Sequence, residues 1–186
     1  RPDARGIVAK LHAQGVGTIV MLTGDNERTA RAVAAEVGID EVRAELLPED
    51  KVTAIEELVA EHDVVAMIGD GVNDAPAMAR AHFAIAMGAV GSDAAIETAD
   101  IALMTDDIGK VPWLIGHSRR TMWIIRQNIA VALATKALFV GLTAFGMATM
   151  WGAIAADVGV SLLVVANALR LLRVRGDGAA PKGGEK

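Results

Sequence analysis

From Asn128 to Leu172 the sequence carries only three charged side chains, Lys136, Asp157 and Arg170. No other feature restricts the fold of this chain so strongly. Two apolar segments lie inside it, roughly Asn128–Met147 and Trp151–Leu172, each about the 20 residues needed to cross a bilayer. The connection around "ATMW" has no Lys or Arg, whereas Arg119, Arg120 and Arg126 precede the pair and Arg170, Arg173 and Arg175 close it. Basic residues collect on the cytoplasmic side, so the expectation is a helical hairpin in the lipid bilayer with both ends cytoplasmic. Trp151, near the tip, reads as an interfacial anchor. Two buried helices of a soluble bundle are the alternative.

Lys136 is the exception within the first span. An ammonium at bilayer depth costs about 2.5–3.5 kcal/mol on insertion scales, and such residues usually face a bundle interior or an ion path. Asp157 on the second span is within reach as its partner. The plainer alternative is that Lys136 snorkels and Asp157 sits close enough to the outer surface to be wet.

Composition excludes several classes. The formal net charge of −5 argues against a nucleic-acid binder, whose footprint is a basic face. Cysteine is absent, which rules out a disulfide framework or thiolate zinc site within the chain. His12, His62, His82 and His117 are scattered without metal-ligand spacing. The opening "RPDARGIVAKL" has no signal-peptide pattern and no initiator methionine, and the chain reads as a piece of something longer.

The region before the apolar pair reads as repeated strand–helix units. "GTIVML" (Gly17–Leu22) is a β-branched run that ends in "TGDN". "ERTARAVAAEVGI" follows with helical spacing and Gly38 as its stop, and "PEDKVTAIEELVAEH" opens with Pro48 at a helix start. "DVVAMIGDG" is a second strand, "APAMARA" a short helix and "FAIAM" a third strand. "SDAAIETA" is another short helix and "DIALM" a fourth strand. Such alternation predicts an α/β fold with a Rossmann-like, doubly wound parallel sheet. Functional groups of these sheets gather beyond the carboxyl ends of the strands, where "TGDN" and "GDGVND" lie.

Those two loops suit phosphate chemistry. Asp70 and Asp74 put two carboxylates within one turn, and Gly69 and Gly71 allow the backbone to bend tightly. Mg²⁺ favours one or two carboxylates, with phosphate and water completing its shell. Asn73 can donate to a phosphate oxygen. Thr23 and the N–H groups of "TGD" sit before a helix N-terminus, an anion-binding position, and Lys51 can bring a cation to the same phosphate. Phosphoryl transfer needs mainly positioning and charge neutralisation. Each residue alone is a weak signal; together at strand ends they predict a phosphoryl-transfer site.

"MLTGDN", "LLPEDK" and "MIGDGVNDAPAMARA" resemble the motifs of P-type cation-transporting ATPases, within the haloacid-dehalogenase-like (HAD-like) superfamily. The following helix pair, ending in "NALRLLR", resembles the heavy-metal-translocating branch. Lys136 together with "ADVGVSLLVVANALRLLR" resembles the zinc/cadmium/lead exporters. The resemblance implies four regions. They are the C-terminal part of a HAD-like phosphorylation domain (1–112), a linking helix (113–127), a transmembrane hairpin (128–172) and a flexible cytoplasmic tail (173–186).

It also implies roles. Asp70 matches a Mg²⁺ ligand, with Asp74 as a second candidate. Asn73 and Asp74 match residues that organise the phosphate and the phosphorylated aspartate. Thr23, Gly24 and Asp25 match the "TGD" that contacts the transferring phosphate, and Lys51 the phosphate-binding lysine. Asp157 matches the ligand of the transported Zn²⁺, Cd²⁺ or Pb²⁺, with Lys136 as its counter-ion. ATP would be the phosphoryl donor and a plasma or inner membrane the location. The other expected partners are the remaining domains and helices of the same pump.

The chain has no "DKTGT", no "TGE" and no cysteine. The acceptor aspartate, the nucleotide domain and the thiolate ligands of such a pump are therefore expected outside it, and the segment alone is expected to be inactive. Two alternatives stay open. One is a truncated non-catalytic membrane protein that binds metal or associates with a pump. The other is a membrane-anchored HAD-type phosphatase, which needs a nucleophilic Asp pair that Arg1–Leu22 does not supply.

Overall fold

The computed structural model describes residues 3–70, 73–88, 97 and 99–173. Gly71, Arg175, most of the helix expected over Ser92–Ala99 and the expected tail beyond residue 173 lie outside them. The chain divides into two compact units, Arg1–Pro112 and Trp113–Lys186.

In the first unit the elements alternate as α1 (Ala4–Ala13), β1 (Val20–Leu22), α2 (Glu27–Val37), β2 (Glu41–Arg43), α3 (Pro48–Glu61), β3 (Ala66–Gly69), α4 (Ala75–Met78), β4 (Phe83–Met87) and β5 (Ile101–Leu103). Helix α2 starts where the Asn26 side chain accepts from the Thr29 N–H at 2.9 Å, satisfying one of its free donors. It stops at Gly38, whose φ of 84° suits a residue without a Cβ. Helix α3 opens on Pro48, where a missing N–H costs nothing, and the Asp50 carboxylate accepts the Leu47 N–H at 2.9 Å.

All strand pairs are parallel, as the alternation predicts, but the single expected sheet is divided. β1 pairs with β2 in the register Met21↔Val42, and β3, β4 and β5 form a second sheet in that order. β1 and β3 share no ladder. They do share a core, because Val20 and Leu22 pack against the cluster of Ile55, Leu58, Met67, Met78, Ala84 and Ala86. Burying a Leu or Met side chain stabilises by about 1.5–3 kcal/mol, so this cluster, rather than hydrogen bonding, couples the two sheets. β4 lies between two neighbours, which explains its unbroken apolar run. β2 was not expected from the sequence, and β1 and β3 are shorter than the runs that predicted them.

The next element, α5 (Lys110–Ala144), whose residues from Trp113 on belong to the second unit, is one continuous 35-residue helix, about 52 Å long. The expected linking helix and first span are thus parts of one element, and Pro112 is accommodated in its first turn. The helix ends on Gly146 (φ 70°). There the Gly146 N–H donates to Thr143 O at 3.0 Å and the Met147 N–H to Leu142 O at 2.9 Å, a paired closure that satisfies two terminal carbonyls. After a short turn, Thr149 caps α6 (Met150–Ala168) by accepting the Gly152 N–H at 3.1 Å. A 3₁₀ turn, Leu169–Arg173, follows. Both helices are long and apolar enough to cross a membrane, and their apolar windows are nowhere buried within the structure.

Candidate functional site

The loop after β3 carries the first cluster. Lys51, in the first turn of α3, places its Nζ 2.7 Å from Asp74 Oδ1, with the two side chains only 20% and 19% exposed. The sequence predicted both residues at a phosphate site but not their contact. The Asn73 N–H donates to Asp70 Oδ1 at 3.3 Å, which folds the turn back on its first carboxylate. Gly69 has a role beyond backbone freedom. A Cβ there would stand 3.0 Å from both Asp74 Cβ and Met78 Sδ, and 3.1 Å from Asp74 Oδ2. The missing side chain is what admits Asp74 to the strand end.

The "TGD" loop after β1 is held by backbone bonds to the end of β2 and the segment that follows it. Thr23 N–H donates to Arg43 O at 3.0 Å, Leu46 N–H to Thr23 O at 3.0 Å, and Glu45 N–H to Asp25 O at 2.9 Å. Glu45 adopts φ 58°, uncommon without a glycine, and this turn aims its N–H at Asp25. Thr23 Oγ1 accepts the Asp25 N–H at 3.1 Å. A Cβ on Gly24 would press on Leu46 O at 3.3 Å. Among the described residues no hydrogen bond or ion pair joins Thr23, Gly24 or Asp25 to Lys51 or Asp74.

Arg43 anchors this second loop and was missed in the sequence. Its guanidinium donates to Glu41 at 2.8 Å and to Glu57 at 2.7 Å, tying β2 to α3. The hydrogen bond with Glu41 above all holds its pKa above the ordinary arginine value. The only sequence signal was a charged Glu-x-Arg between two loops, which reads equally well as a solvated turn.

As for metal binding, no group of three or more His, Cys, Asp or Glu comes together among the described residues. Asp70 and Asp74 nevertheless meet the requirement of Mg²⁺, which takes one or two protein carboxylates and fills its shell with phosphate and water.

The hairpin holds the other candidates. Lys136 and Asp157 line one cleft of about 310 Å³, together with Thr135, Val160, Ser161 and Val164. Counted along each helix, Lys136 lies about 12 Å from the end of α5 and Asp157 about 10 Å from the start of α6, so their depths match. Among the described residues no ion pair within 4.0 Å joins them, and the two side chains that the sequence placed within reach of each other share the lining of this cleft. Ser161 Oγ instead donates to the Asp157 carbonyl at 2.9 Å. Both charged side chains are exposed in the chain.

Residues 1–82 match the haloacid dehalogenase-like hydrolase family. Over 94% of its length the chain is 49% identical to a "cadmium, zinc and cobalt-transporting ATPase" of Bacillus subtilis and covers 25% of it. It is 50% identical, again over 94% of its length, to the "zinc/cadmium/lead-transporting P-type ATPase" of Escherichia coli, covering 23% of that protein. A crystal structure of a zinc-transporting PIB-type ATPase in the E2·Pi state superimposes with a TM-score of 0.84 at 48% identity. That match covers 93% of this chain and 28% of the other. The chain thus spans about a quarter of the length of these relatives.

Proposed function

We propose, from its similarity over nearly its whole length to heavy-metal-transporting P-type ATPases, that the chain is the ion-handling and phosphate-handling part of an ATP-driven pump exporting Zn²⁺, Cd²⁺ or Pb²⁺. The observation that carries this reading is the shared cleft of Lys136 and Asp157, in the same polypeptide as the loops after β1 and β3. A phosphatase with a simple membrane anchor has no use for an acid and a base at matched depth in two apolar helices.

In the phosphate-handling unit, Lys51 neutralises the transferring phosphoryl group and Asp74 holds Lys51 ready. Asn73 orients a phosphate oxygen. From the loop after β1, Thr23 offers its hydroxyl and Gly24 its N–H, and Asp25 closes that loop through its N–H on Thr23 Oγ1. Asp70, with Asp74 as the second candidate, holds Mg²⁺, which supplies charge neutralisation on the phosphate oxygens when bound. ATP is the donor, and the acceptor aspartate and nucleotide domain belong to parts of the pump outside this chain.

In the hairpin, Asp157 ligates the exported ion, and thiolates absent from this cysteine-free chain come from other helices. Once the ion leaves, Lys136 neutralises the carboxylate. The empty site then needs no counter-transported cation, and the ion is discouraged from returning. This cycle requires a lysine that can reach the carboxylate when the ion is gone, and the cleft that both side chains line supports this. Both ends of the hairpin face the cytoplasm, from the basic residues that flank it, and the apolar faces of α5 and α6 meet lipid and the remaining helices.

The test is phosphoenzyme formation from ATP by the intact pump in membranes. Labelling stimulated by Zn²⁺, Cd²⁺ or Pb²⁺ is expected. Labelling indifferent to all three ions contradicts the reading.

A further inference from the structure

The two apolar helices meet through three amides well away from the Lys136–Asp157 cleft. Asn167, on the last turn of α6, donates both hydrogens of its Nδ2. One goes to Gln127 Oε1 at 3.0 Å and the other to Asn128 Oδ1 at 2.8 Å. Its own Oδ1 accepts from Arg170 Nη1 at 3.0 Å. The Asn167 side chain is thus fully used, and all three amide residues are half-buried.

Between helices that lie in lipid there is no hydrophobic preference for one register over another, so polar contacts and close packing decide it. The cleft is lined mainly by Ala132, Val160, Val164 and Val165 besides its polar residues, and such short aliphatic side chains tolerate sliding. A one-residue slip of a helix against its neighbour rotates its faces by about 100°, which would turn Asp157 away from Lys136. The amide clasp lies about 12 Å along α5 from Lys136 and about 15 Å along α6 from Asp157. It touches neither the ion nor the phosphate.

We propose that Asn167 is a positioning residue, which clasps Gln127 and Asn128 to set the α5–α6 register that brings Lys136 and Asp157 onto one cleft. The register follows from the clasp alone; its consequence for the ion rests on the transport reading above.

Two measurements separate these parts. In the first, spin labels are attached to Leu133→Cys and Leu162→Cys in this otherwise cysteine-free chain, in liposomes, at positions 62% and 66% exposed. The distance distribution is expected to be narrow and to broaden or shift with Asn167→Leu. The double variant Gln127→Leu/Asn128→Leu should reproduce that change. An unchanged distribution in both variants overturns the register claim.

In the second, the complete pump is assayed with Zn²⁺. Either variant is expected to raise the Zn²⁺ concentration for half-maximal ATPase stimulation by about 10-fold or more, the scale for groups that orient a metal ligand. Phosphorylation by inorganic phosphate without Zn²⁺ should be unchanged, and Asn167→Asp, which accepts from the same two amides once each turns its NH₂ toward it, should recover most of the affinity. An unchanged half-maximal concentration overturns the proposal. So does a parallel loss of phosphorylation by inorganic phosphate, which marks a general defect. If the wild-type pump ignores Zn²⁺, Cd²⁺ and Pb²⁺, the transport reading fails while the spin-label result still decides the register.

Discussion

The Lys51 ammonium lies 2.7 Å from the Asp74 carboxylate although 23 residues separate them, so the first turn of α3 and the start of α4 meet at the end of β3. In water an exposed pair of this kind contributes little, but here each side chain is about four-fifths covered. The contact holds a cation at the strand end where a phosphoryl group would otherwise have to recruit it.

Lys51→Met should therefore separate folding from chemistry. Stability is expected to fall by about 1–3 kcal/mol, the cost of leaving a half-buried carboxylate without its partner. Phosphoenzyme formation in the complete pump should drop by about a hundredfold or more, as when a charge-stabilising group is removed from an active site. Denaturant melts and labelling from ATP on the same preparation measure both. Equal labelling in wild type and variant would remove Lys51 from the phosphate site.

Gly69→Ala probes the same corner through space rather than charge. The added Cβ would meet Asp74 Cβ and Met78 Sδ at 3.0 Å, and Met78 is 1% exposed and cannot swing into solvent. Overpacking of this kind costs about 1–3 kcal/mol, and Asp74, closer to solvent, is the group expected to move. Phosphorylation should fall although no polar group has been removed, and a fully active variant would count against the cradle.

Arg43→Met is expected to loosen the "TGD" loop by cutting the tie between β2 and α3. The loss should be about 1–2 kcal/mol, since Glu41 and Glu57 are both partly solvated and each pair is worth little alone. The pKa of Arg43 is raised, chiefly by its hydrogen bond to Glu41. A raised pKa gives stability that is fully present below the unfolded value and lost only as pH climbs beyond it. The Arg43 contribution is therefore expected to be constant across neutral pH. Melting midpoints of wild type and Arg43→Met at several pH values measure this as parallel curves.

Lys136→Ala in the complete pump should leave equilibrium Zn²⁺ binding nearly unchanged, because Asp157 keeps its ligand role. Turnover should fall by about tenfold, a coupling of ordinary size between two sites, because the emptied carboxylate keeps attracting the ion. Direct Zn²⁺ binding alongside steady-state ATPase rates separates the two quantities.

How much of this was legible in the sequence depended on whether the signal was local. "FAIAM" became β4 residue for residue because an apolar run bounded by polar turns needs nothing further to define it. Pro48 and Gly38 marked helix ends for equally local reasons. β2 was invisible because Glu41–Arg43 has charged ends, and its strand form is set by register with β1 and by the Arg43 ion pairs. The division of the sheet was hidden for the same reason, since strand pairing is a long-range property. Lys136 and Asp157 stood out as charges in apolar runs. Gln127, Asn128 and Asn167 did not, because uncharged amides near span ends look like ordinary boundary residues until the helices are laid side by side.

The most direct test of the account is ATPase stimulation by Zn²⁺ in the complete pump carrying Asp157→Ala, compared with wild type. Phosphorylation by inorganic phosphate serves as the check that the variant is folded. The account predicts that stimulation disappears while this phosphorylation persists. Stimulation at the wild-type level, at the wild-type Zn²⁺ concentration, would contradict it.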